Sequence, residues 1–466
     1  MDDQKLKWYR THLEKFLDTT LYDPNSLTVE LPEEKWLEIN PMRGIRQGIE
    51  SYDLTRCKNS FLSQILRDSY GEYEFNRNVI DNRIFRINRR TLAAGGGLYP
   101  NIIYIVMTHA NEVRTYQYNP TLNTMNYLGS TEENLNDLDK NCCYFVITNY
   151  YWRNFLKYRY FGYRLMLVDT GYALANLCLT LSKNRLEYKI NISSKLFKAL
   201  DKSLNINLEY ESICCAVSVK NKILCESLKD ISDSRISYKL FDDWDTSPTN
   251  LYKILETNVN NEDFNLCETI NKSINEFKLP YNLKYRISPG GGPMISIKPI
   301  SNVKFEKTLK NFANLKNIFG KFSENIETYV YVNKVENVST GLYIVDNKGS
   351  IIQQECGYTS KDYQQMLRKK NFNLYETPAF FFFGINLKRM IKKYGISGFK
   401  IAQIKIGLTS QLLTYAGCLN ECWTHAILGF EVDMAEKFTN VKDDLNLLNL
   451  VAFSDSKPLD RFSANF

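Results

Sequence analysis

The chain has 466 residues, 44% of them hydrophobic and 24% charged, the balance of an ordinary folded protein. That length exceeds the size at which one core keeps growing, so more than one domain is expected. The net charge of +7 comes without a Lys/Arg block, which gives a nucleic-acid partner no specific support.

The amino terminus, MDDQKLKWYRTHLEKFL, is charged and lacks the apolar core of a signal peptide. Residues 1–40 read as a helical extension. The longest apolar run, PAFFFFGI at 378–385, is too short to span a bilayer. The eleven cysteines include the adjacent pairs Cys142-Cys143 and Cys214-Cys215, and no CxxC occurs. This usage fits reduced, buried thiols of a cytosolic protein. Cys418 and Cys422 stand four apart, but with only His12, His109 and His425 to assist, no metal site is expected. The 31 Tyr and 26 Phe point to large aromatic cores or aromatic-lined pockets.

Along the chain, RRTLAAGGGLYPNIIYIVM (89–107) sets three glycines directly before a strand. Glycine serves where the backbone takes φ > 0 or comes close to a neighbour. VRTYQYNPTLNTMNYL (113–128) reads as strand, turn and strand, and CCYFVITNY (142–150) as a short buried strand. A helix follows, with the apolar stripe Leu165, Val168, Tyr172, Ala175 and Leu179 at intervals of three and four.

The same series then recurs. YRISPGGGPMISIKPI (285–300) repeats the arginine and glycine run, with Arg286 lying 196 residues after Arg90. STGLYIVDNKGSII (339–352) matches the first hairpin and PAFFFFGIN (378–386) the buried strand. Lys393-Tyr394 lies 236 residues after Lys157-Tyr158, and Gly407 lies 236 after Gly171. The second copy therefore carries extra, helix-like sequence near 303–338. The expected organisation is α+β, with a first domain at 41–235 and a second at 236–466.

Arg90-Thr-Leu-Ala-Ala-Gly-Gly-Gly-Leu-Tyr-Pro100 resembles the R-x-x-P-S-x-G-x-L-Y-P stretch of nitroreductase-fold azoline dehydrogenases. These are the flavin enzymes of microcin, streptolysin and thiopeptide maturation. Lys157-Tyr158, Gly162-Tyr163-Arg164, Asp169-x-Gly171 and Asn176 resemble that family's K-Y-x-x-x-G-Y-R…G…N segment. The resemblance covers most of both halves. It implies two tandem nitroreductase-like domains, with antiparallel-rich sheets flanked by helices, fused as a pseudo-dimer that binds FMN.

By the same resemblance, Arg43 and Arg46 would grip the FMN phosphate, whereas the corresponding stretch ETNVNNEDF (256–264) is acidic. The P-S-x-G loop survives better in the second copy, as Ser288, Pro289, Gly290, Gly291 and Gly292; in the first, Ala93-Ala94 replaces Pro-Ser. Arg90 and Arg286 complete the expected cofactor-binding set, and one FMN per chain is expected. A Lys-Tyr pair would assist proton abstraction, the ammonium favouring phenolate. Sequence leaves open whether Lys157-Tyr158 or Lys393-Tyr394 does so.

The implied activity is oxidation of thiazoline or oxazoline rings to azoles in a ribosomally made precursor peptide, with hydride passing to the flavin. A cyclodehydratase and a leader-binding protein would be partners, and residues 303–338 are a candidate for gripping the peptide or a partner. Alternatives are a flavin-dependent reductase of dehydroamino acids in a lanthipeptide, and a non-catalytic peptide-binding scaffold.

Overall fold

The two continuous apolar runs, CCYFVITNY and AFFFFGI, are wholly buried strands at the centres of two antiparallel sheets. Such runs suit strands covered on both faces. The computed structural model describes residues 45–220, 250–271 and 299–455, with 224 and 235–236, apart from 47, 57–59, 81–82, 110–111, 132–136, 159–160, 369–371 and 443. The expected extension at 1–40 lies outside the described residues.

In chain order the first series is β1 (Glu50–Asp53), α1 (Phe61–Tyr70), β2 (Glu72–Ile80), β3 (Arg83–Arg90), β4 (Asn101–His109), β5 (Glu112–Asn119), β6 (Thr124–Thr131), β7 (Cys142–Tyr150), α2 (Tyr151–Tyr158), α3 (Phe161–Lys183), β8 (Tyr188–Ser193), α4 (Ser194–Leu204), β9 (Glu211–Val219), β10 (Arg235–Ile236), α5 (Asn250–Asn261) and β11 (Asn265–Ile270). The second is α6 (Asn302–Ile318), β12 (Glu327–Val332), β13 (Gly341–Val345), β14 (Ile351–Gln354), α7 (Ser360–Gln365), β15 (Ala379–Ile385), α8 (Leu387–Tyr394), α9 (Ser397–Leu419), β16 (Trp423–Ile427), α10 (Val432–Thr439) and β17 (Asn446–Ser454).

The two sheets repeat one strand order. The first sheet runs β10-β1-β6-β5-β4-β7-β9-β8-β11 and the second β14-β13-β12-β15-β17-β16. The segment β6-β5-β4-β7-β9-β8 has the same topology as the whole second sheet, with every pairing antiparallel. α2 and α8 each have 8 residues, and α3 and α9 each have 23. Both hairpin turns close on an Asx side chain. Asn119 Oδ1 accepts from the Thr121 N–H at 3.1 Å, and Asp346 Oδ1 from the Lys348 and Ser350 N–H groups at 2.8 Å.

The described residues divide into two units: Thr28–Phe277 with Tyr394–Ile401, and Lys278–Lys393 with Ala402–Phe466. The division expected at 235/236 moves, because β11 pairs with β8 from Asn265 to Ile270 and belongs to the first sheet. The expected insertion narrows as well. β12 takes the place of β4 in the strand order, so the residues peculiar to the second copy end before 327.

Within the first unit, α3 packs across β4, β7 and β9. It is long and apolar enough to cross a membrane, yet its apolar stretch is entirely buried in the unit. In the second unit the alternation of β15 sorts its phenylalanines. Phe380 and Phe382 meet Tyr363, while Phe381 meets Phe305 and Phe383 meets Phe312, both on α6. The abundant aromatics of this unit therefore build core, and the inner face of α6 is part of it.

Candidate functional site

The first glycine run lies between β3 and β4 as a turn whose Gly96 and Gly97 have φ of +62° and +69°. These left-handed values are what glycine supplies without steric cost. Within the turn, Gly97 N–H donates to the Ala94 carbonyl at 3.0 Å and Leu98 N–H to that of Gly95 at 3.2 Å. A Cβ on Gly95 would overlap Leu165. One on Gly96 would overlap the Tyr158 hydroxyl and stand 2.8 Å from Lys157 Nζ, whereas one on Gly97 would meet nothing within 4 Å. Gly96 and Gly97 are exposed.

The Lys-Tyr pair comes to this turn because α2 ends on it. Lys157 Nζ lies 5.3 Å from the centre of the Tyr158 ring, which meets Phe161 edge-on at 6.3 Å. From the other side α3 places Leu165 and, one helical turn later, Asp169. Asp169 is fully buried and accepts the Gly95 N–H on both carboxylate oxygens at 3.1 Å. Burial pushes its carboxyl up to about 8, against the stabilising Gly95 N–H and the Asn154 side chain of α2. Burial also pushes the Tyr158 phenol well above the ordinary tyrosine value, and the Asp169 charge adds to the rise. Both effects act against the expected drift toward phenolate.

Behind the turn, Arg90 is 2% exposed and lies between the rings of Tyr70 and Tyr99, at 4.3 and 4.5 Å. Its guanidinium is 3.6 Å from the Glu72 carboxylate, in the interior of the unit. Arg153 donates to the Tyr99 carbonyl at 2.6 Å, and burial lowers its pKa to about 10. Arg46 donates from Nη1 to the Leu204 carbonyl at 2.5 Å, capping the carboxyl end of α4. Arg43, Arg286, Ser288, Pro289, Gly290, Gly291 and Gly292 lie outside the described residues.

Lys393 and Tyr394 end α8, with Lys393 exposed and Tyr394 partly buried. Beyond them Gly395, at φ +64°, lies against the Glu262 carboxylate, which accepts from Ser397 N–H at 3.2 Å and Ser397 Oγ at 3.3 Å. Lys400 is buried against Glu256 at 2.7 Å, and Tyr163 donates to the same carboxylate at 2.8 Å. Ser194 donates to Asp263 at 3.1 Å. All three acids of the 256–264 stretch therefore bind neighbouring side chains of the fold.

The structure brings Lys157, Tyr158 and Gly95–Gly97 together with Asp169, which the motif match included without a role, Leu165 of the apolar stripe, and Asn154, which sequence reasoning passed over. One signal was present for Asp169: a single acid inside the apolar run LMLVDTGYALANL. Among the described residues no cysteine forms a disulfide, and no three His, Cys, Asp or Glu residues cluster as metal ligands.

No protein-family model and no curated protein matches the sequence. A solved chain from Anabaena variabilis, described as a candidate nitroreductase, aligns with 96% of this chain and 99% of its own length, with a TM-score of 0.72 and 17% identity. Two partial overlaps are with the E. coli microcin synthetase McbBCD complex (34% of this chain, 66% of that one, 14% identity, TM-score 0.30) and a candidate nitroreductase from Ralstonia eutropha (38%, 81%, 14%, 0.28). Scores that low carry no weight. The first alignment, end to end, shows that the chain has the nitroreductase fold.

Proposed function

We propose that the chain is an FMN-dependent dehydrogenase that oxidises thiazoline or oxazoline rings to azoles in a ribosomally made precursor peptide. One observation carries the reading: the Lys-Tyr pair and the glycine run, 60 residues apart in sequence, meet at Gly96. These are the two motifs in which the sequence resembles azoline dehydrogenases, and the nitroreductase fold is consistent with a flavin enzyme.

The described residues fit the ring end of such a cofactor. Gly96 and Gly97 offer backbone with no Cβ, exposed, beside the donor-bearing tips of Lys157 and Tyr158. A flat ring rich in acceptor atoms suits that set. When bound, FMN supplies the acceptor for the hydride removed from the substrate. The chain's own part is to hold the peptide's ring and to accept its proton on Tyr158 as phenolate, the form the Lys157 ammonium can stabilise. Arg43 remains the residue we assign to the phosphate. A cyclodehydratase and a leader-binding protein would supply the ring-bearing peptide.

The test is mass spectrometry of a ring-bearing peptide incubated with the yellow protein. A loss of two hydrogens is expected with the wild type, and Tyr158→Phe should cut that rate by about a hundredfold or more with flavin retained. A Tyr158→Phe variant as fast as the wild type overturns the assignment. The protonated phenol gives specific support to a second reading, a reductase that adds hydride to a dehydroamino acid while Tyr158 donates the proton. In that case the peptide gains two hydrogens.

A further inference from the structure

We propose that Asp169 is a positioning residue: it clamps the Gly95–Gly97 turn against Lys157 and Tyr158. The proposal rests on the functional reading above for what the pair does, and on geometry for the clamp itself.

Three elements meet at the Asp169 carboxyl. The turn sends it the Gly95 N–H, shared between both oxygens, the Asn154 amide of α2 favours its ionised form, and the carboxyl itself is carried on α3. Gly96 follows directly and borders the Tyr158 hydroxyl and Lys157. Moving the carboxyl therefore moves the floor of the pair. Tyr158 of α2 and Tyr70 of α1 are the titratable groups that sense its charge, with Arg90 and Arg153 facing Tyr70 from behind.

The second copy argues that this acid is not a general need of the fold. Lys405, 236 residues on and also buried, takes the corresponding place on α9. An ammonium has no lone pair to accept an N–H, so it cannot hold a glycine turn in this way. A carboxyl in only one of two equivalent helices points to a task particular to the Lys157-Tyr158 site.

The test follows the full chain labelled with ¹³C at tyrosine Cζ, with Tyr158 assigned by the resonance lost in Tyr158→Phe. The wild type should show an inflection near pH 8 at Tyr158 as Asp169 ionises. Asp169→Asn should abolish it. Asn154→Ala, which removes an amide that favours the ionised carboxyl, should move it to higher pH and serves if Asp169→Asn does not fold. With azoline peptide, Asp169→Asn should lose roughly ten- to a hundredfold in kcat at little change in KM. A wild type without the inflection, or one that persists in Asp169→Asn, overturns the proposal. Failure of the functional reading looks different: the wild type then leaves azoline peptide unchanged, while its Tyr158 resonance still reports on Asp169.

Discussion

At the scale of single residues, the glycine turn separates two reasons for having no side chain. Gly96 and Gly97 share a left-handed backbone, so alanine at either should cost about 1 kcal/mol in strain. Only at Gly96 would the new methyl also collide with the Tyr158 hydroxyl and crowd Lys157. Gly96→Ala and Gly97→Ala should thus melt at similar temperatures, while azole formation falls at least tenfold further in Gly96→Ala. Equal rates in the two variants would show that the hydroxyl moves aside without consequence. That these glycines need φ > 0 was legible in the sequence, since consecutive glycines before a strand have few other uses. What they approach was not, because Asp169 and Tyr158 reach the turn only through the packing of α2 and α3.

Among elements, the acidic stretch 256–264 shows what its charges are used for. Its lack of basic residues was read against a phosphate site, yet its acids have their own work in the first unit. Glu256 receives Lys400 and Tyr163, while Glu262 caps the amino end of α9 at Ser397. The Glu256–Lys400 pair is almost fully buried, at 0% and 1% side-chain exposure. Stranding one buried charge costs about 3–5 kcal/mol, whereas replacing both can be nearly neutral. Glu256→Gln should therefore lower the denaturation midpoint sharply, and the double variant Glu256→Gln with Lys400→Met should recover most of the loss. A single variant as stable as the wild type would mean that the pair is solvated in solution. Similarly, α6 was legible as a helix peculiar to the second copy, but not as core, since its role depends on which face of β15 it covers.

For the whole molecule, the duplicated topology offers two frames, and the buried acid beneath the turn occurs in the first alone. Accordingly the purified chain should carry one FMN, measured as the ratio of released flavin to protein; a ratio of two would make the second copy equally competent. The sequence by itself determined the duplication, the α+β class, the hairpins and the central strands. Those follow from periodicity and turn chemistry, which are local and repeat at a fixed offset. Tertiary structure alone decided that the first unit extends through β11, that Arg90 is held inside its unit and Arg46 is tied to Leu204, and that Asp169 holds the glycine turn beside the Lys-Tyr pair. Each of these depends on groups far apart in the chain coming within hydrogen-bond or van der Waals range, and burial then sets their charge in a way that spacing along the chain does not encode.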